Sequence, residues 1–78
     1  MSPLPSLSGR DVLRVLERGG FRLTHVKGSH HYLRKEGQSA LVVVPVHGNQ
    51  TLPEGTFRSI LRQAGLTADG FEKLLRGS

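Results

Sequence analysis

Cysteine is absent from the chain, as is tryptophan, and only one tyrosine and three phenylalanines occur in 78 residues. Without thiols there is no disulfide and no thiolate metal site, which fits the reducing cytoplasm. The longest apolar stretch, Ala40 to Val46, is interrupted by Pro45 and falls far short of the ~20 residues a membrane-spanning helix needs. The opening Met1-Ser2-Pro3-Leu4-Pro5 has neither a charged n-region nor an apolar h-region, so it does not read as a signal peptide. Also missing are the GxSxG elbow of serine hydrolases, the GxxxxGK[ST] phosphate loop, the GxGxxG dinucleotide fingerprint and the HExxH zinc helix. The six carboxylates are scattered and do not suggest a carboxylate dyad. Internal repeats and low-complexity tracts are lacking as well.

Basic residues are plentiful. Eleven Lys and Arg against six Asp and Glu give a formal charge of +5. Residues 1–50 hold seven basic and three acidic side chains, and residues 51–78 hold four and three, so most of the excess lies in the first part. Such a surface attracts nucleic acid or an acidic protein partner, although solubility alone also accounts for many basic chains. The length allows one domain. A chain of this size buries only about 60% of its unfolded surface, so its stability belongs at the low end of the ~5–15 kcal/mol range.

The pattern predicts a flexible Pro- and Ser-rich segment over 1–7 and a single domain over 8–76. Ser8 suits an N-cap, with Asp11 placing a carboxylate in the first turn. Val12, Leu13, Val15 and Leu16 fall on one side of that helix, Arg10, Arg14 and Arg18 on the other, and Gly19-Gly20 ends it. Three strands follow: Phe21 to Lys27, His30 to Lys35, and Ala40 to Val46, joined by Gly28-Ser29 and by Glu36-Gly37-Gln38-Ser39. The run Val42-Val43-Val44 suggests that the third is a central or doubly contacted strand. Pro53 suits the start of a second helix with Phe57, Ile60, Leu61 and Ala64 on its apolar side, stopped by Gly65. Thr67 caps a short last helix carrying Phe71, Leu74 and Leu75. The order is α-β-β-β-α-α, an α+β fold. It predicts a three-stranded antiparallel sheet with helices packed on one face and the other face open.

Strand alternation sorts the histidines. His31 and Leu33 share one face of the second strand, and the leucine marks it as the core side. His30, Tyr32 and Arg34 share the other. That open face offers a proton-transfer group whose unperturbed pKa is ~6.5, a ring on which a base can stack, and a cation for phosphate. Lys27 can counter phosphate charge, and Gly28 allows close backbone approach. His25 and His47 read as surface residues. Neighbouring histidines of an extended strand point to opposite faces, so His30 and His31 do not share a metal, and neither metal nor other cofactor is expected. The arginines of the helices, Arg58 and Arg62 included, read as solvated.

Five blocks in order carry a family resemblance: Glu17-Arg18-Gly19-Gly20-Phe21, Lys27-Gly28-Ser29-His30-His31-Tyr32, Val43-Val44-Pro45-Val46-His47, Leu52-Pro53-Glu54-Gly55-Thr56, and Ile60-Leu61-Arg62-Gln63-Ala64-Gly65-Leu66. Over roughly residues 7–75 the chain resembles the HicA toxin family. The resemblance implies a double-stranded-RNA-binding-domain-like fold and a ribonuclease that cleaves messenger RNA. It also implies neutralisation by a HicB-type antitoxin. The catalytic histidine it implies is the one after Gly-Ser, His30, with Lys27, Gly28, Ser29, Tyr32 and Arg34 as RNA-binding neighbours. His31 falls where that family often has an aromatic residue or histidine, and takes no catalytic role. Leu33 stands where the family often has phenylalanine, a packing change. A second proton-transfer group stays open between Tyr32, His25 and water. A non-catalytic RNA-binding module of the same fold is the alternative reading.

Overall fold

The computed structural model describes residues 4–77. Its elements are helix α1 (Gly9–Arg18), strands β1 (Phe21–Lys27), β2 (His30–Lys35) and β3 (Val42–Pro45), and helices α2 (Glu54–Ala64) and α3 (Ala68–Arg76). The order and α+β class are those expected from the pattern. Ser8 and Asp11 form a reciprocal capping box at the start of α1: each side chain accepts the other's backbone N–H, at 3.2 and 3.3 Å. Thr67 caps α3 by accepting from the Gly70 amide at 2.9 Å. Residues 1–3 of the expected flexible segment lie outside the described residues. Within the remainder, Leu4 and Leu7 pack against the core, and the Leu7 carbonyl accepts from the Leu52 amide at 2.8 Å.

The sheet is antiparallel throughout, in the order β1-β2-β3. Of the two expectations for the valine run, the doubly contacted strand holds and the central one does not: β3 is an edge strand of the sheet, shorter than 40–46, and β2 is the central one. Helix packing accounts for the valines. Val42 and Val44 are fully buried beneath the helices, while α2 covers the outer edge of β3, where Gln63 Oε1 accepts from the Val43 amide at 2.9 Å. Pro45 closes the strand with no N–H to leave unpaired.

One face of the sheet and all three helices enclose the core. Val12, Val15 and Leu16 of α1 meet Phe21, Leu33, Val42 and Val44 of the sheet and Phe57, Ile60, Leu61 and Ala64 of α2. Helix α3 completes it. Phe71 is fully buried and packs edge-to-face on Phe57, with ring centroids 5.0 Å apart, a preferred aromatic geometry. Arg18 ties α1 to α3 by donating from Nη1 to the Leu74 and Leu75 carbonyls at 3.3 and 3.0 Å. Gly9 lets α1 sit on the end of β3: a Cβ there would stand 2.1 Å from the Pro45 carbonyl oxygen, well inside any van der Waals contact.

Candidate active site and nucleic-acid interface

Helices cover one face of the sheet, so the chemistry-bearing side chains collect on the other. Leu33 is fully buried, and alternation turns its neighbours Tyr32 and Arg34 away from the core. His30 follows the same phase and is exposed. On β3 it faces Pro45, and Tyr32 faces Val43, so half-buried Val43 and Pro45 floor that side of the open face.

What β1 contributes depends on an irregularity. Register runs Phe21↔Lys35, Arg22↔Arg34 and Leu23↔Leu33, then shifts between Leu23 and His25, and resumes as His25↔Tyr32, Val26↔His31 and Lys27↔His30. Thr24 is the extra residue of a β-bulge. Paired residues share a face, so the bulge turns His25 and Lys27 to the side of Tyr32 and His30. Strict alternation from Leu23 would have put them on the helix side. The open face therefore carries Arg22, His25 and Lys27 from β1 against Arg34, Tyr32 and His30 from β2.

Each expected site residue has a definite place. Lys27 is exposed and directly opposite His30. Gly28, at φ +59, and Ser29, with no positive φ, form the two-residue turn between them, the sequence order that favours a type II′ hairpin. Ser29 is held by its carbonyl, which accepts from the Val46 amide at 2.8 Å. His31 Nδ1 also lies 3.3 Å from that carbonyl, which ties the ring back to the turn on the helix side. Tyr32 is half-buried and stacks on His25, centroids 4.2 Å apart and planes 7° from parallel. Arg34 is exposed and donates from Nη1 to the Ser39 carbonyl at 3.2 Å. His30 makes no side-chain hydrogen bond among the described residues. His47 lies in the loop beyond β3, outside this group. Of the helix arginines, Arg58 pairs with Glu54 at 3.1 Å and Arg62 donates to Ser59 at 3.0 Å.

Arg22, which was not among the expected site residues, and His25, expected only as one candidate for the second proton-transfer group, both belong to this face. The signal was present: Phe21 and Leu23 are two apart, but the next apolar residue is Val26, three further on. A one-residue slip in apolar period is what a bulge produces. Arg22 and Arg34 also border a shallow concavity of about 590 Å³, with Thr24 and the 35–38 turn, at the opposite end of the strand pair from His30. Two arginines placed directly across a strand pair repel each other, a cost that a bound anion would offset.

A family model described as the HicA toxin of bacterial toxin–antitoxin systems matches residues 9–66. That span runs from the start of α1 to two residues past the end of α2 and contains the whole open face; α3 lies beyond it. Comparison with the curated proteins returns no match.

Proposed function

Because the chain belongs to the HicA toxin family of bacterial toxin–antitoxin systems, we propose that it is an endoribonuclease that cuts messenger RNA in the cytoplasm through His30. The observation that carries this reading is the exposed, unbonded imidazole of His30 on the open face, directly across from Lys27. An imidazole moves protons near neutral pH, and such help is worth ~10²–10⁴-fold when the group reaches the reacting atoms. Lys27 and Arg34 offset negative charge on the phosphate, most strongly as it grows in the transition state. Tyr32 offers a ring for a base to stack on. Gly28 and Ser29 form a tight turn that keeps bulky side chains away from the ligand.

The reaction is attack of a ribose 2′ oxygen on the adjacent phosphorus. It leaves a 2′,3′-cyclic phosphate and a 5′-hydroxyl end. DNA has no 2′-hydroxyl and is not cut. All the roles named fall to side chains, so the proposed step runs without a metal ion. A HicB-type antitoxin with an acidic surface would neutralise the activity by covering the open face and His30 with it.

The test is incubation of a long RNA with the protein in EDTA beside His30→Ala. The expected result is cleavage by the parent protein and binding without cleavage by the variant, with cyclic-phosphate ends on the products. A protein that shifts RNA without cutting it is the binding module of the alternative reading. Growth arrest on expression alone, relieved by His30→Ala and by a co-expressed antitoxin, tests the cellular role.

A further inference from the structure

We propose that His25 is the second proton-transfer group of this site: the general base, held in one tautomer by the bulge residue Thr24, with His30 as the general acid. The proposal rests on the ribonuclease reading above and adds to it a residue and a division of labour.

The hydrogen bonds at Thr24 decide the tautomer. Its hydroxyl donates to the Tyr32 carbonyl at 3.1 Å, and a carbonyl can only accept. The one proton of that hydroxyl is therefore committed. The same Oγ1 lies 3.2 Å from His25 Nδ1, so it can only accept there, and Nδ1 must carry the hydrogen. In the neutral ring the bare lone pair is then on Nε2. The stack on Tyr32, with planes 7° from parallel, fixes the ring orientation. An imidazole whose Nδ1–H is anchored and whose Nε2 is bare is prepared to take a proton.

Position supplies the second half of the argument. His25 pairs with Tyr32, and His30 is two residues before Tyr32 on the same face. The two histidines are diagonal neighbours across the strand pair, a relation that separates backbones by ~7–8 Å. In-line displacement puts the attacking and leaving oxygens on opposite sides of phosphorus, so base and acid must flank it. Hydrogen bonds of about 3 Å from each ring to those oxygens fit a gap of that order. Lys27 completes the square beside both rings.

The step balances. His25 Nε2 takes the proton of the 2′-hydroxyl as the O2′–P bond forms. The P–O5′ bond breaks, and O5′ takes the proton of His30. His25 ends protonated and His30 neutral, and exchange with water resets both.

A short RNA with one bridging 5′-thio linkage separates the roles, because the sulfur leaves without protonation. His30→Ala is expected to lose ~10²-fold or more on ordinary RNA and to recover near-parent rates on the thio substrate. His25→Gln is expected to lose ~10²-fold on both. Thr24→Val keeps the shape of the side chain and removes the acceptor. It should give a smaller rate loss, and nitrogen NMR should show His25 shifting from the Nδ1–H form to a mixture. Parent-like cutting of both substrates by His25→Gln overturns the proposal and leaves the ribonuclease reading intact. Recovery of His25→Gln on the thio substrate overturns it by reversing the roles. A parent protein that cuts neither RNA removes both.

Discussion

The two faces of β2 are one residue apart in sequence and opposite in physics. Leu33 is fully buried in the apolar core, while Arg34, Tyr32 and His30 stand on the opposite face of the strand. Hydrophobic burial on the first face holds the domain together. The second face gathers three cations and two imidazoles from one bulged hairpin, with little apolar area to stabilise it. In a chain this small the two jobs are divided by the pleat, not by distance along the chain. Substitutions on the helix side should therefore change stability, and those on the open side chemistry, with little crossover.

The strongest attempt to break this division is Phe71→Ala. Its ring is fully buried against Phe57, and such truncations cost ~3–5 kcal/mol. Urea unfolding should show most of the stability gone, although Phe71 lies outside the family-matched span and far from the open face in sequence. His30→Ala sharpens the contrast from the other side. Cleavage should fall ~10²–10⁴-fold, while the urea midpoint moves by the equivalent of under ~0.5 kcal/mol, as for other exposed positions. Ser8→Ala removes the capping box of α1 and should cost about 1 kcal/mol, read as a lower melting temperature with cleavage of the folded protein unchanged. The smallest effect belongs to Arg58→Ala. Its partner Glu54 is 72% exposed, and surface pairs of this kind are worth ~0.3–0.5 kcal/mol, near the limit of a denaturant titration.

Local chemistry made much of this legible. Ser8, Thr67 and the glycines after each helix mark element ends because caps are short-range, and Leu33 sets the face of His30 by simple alternation. Long-range geometry stayed hidden. The Val42-Val43-Val44 run reads the same whether a strand or Gln63 of α2 borders it, so edge and centre could not be told apart. The bulge at Thr24 needs the partner strand to define it, so His25 read as a surface residue and as only one of three candidates for the second proton-transfer group. Gly9 gives no local hint that the Pro45 carbonyl lies against it, because that approach depends on how α1 crosses the sheet.

Among the described residues β1 pairs on one side only, so a row of its backbone amides and carbonyls faces outward beside Leu23 and Val26, which are 45% and 49% exposed. Such a rim invites a strand from another molecule to zip onto it and seed aggregates. The kink at Thr24 breaks its straight run, and Arg22 and Lys27 add charge that keeps like rims apart. The same few residues assigned to the proposed reaction thus also guard the protein's dispersal at high concentration.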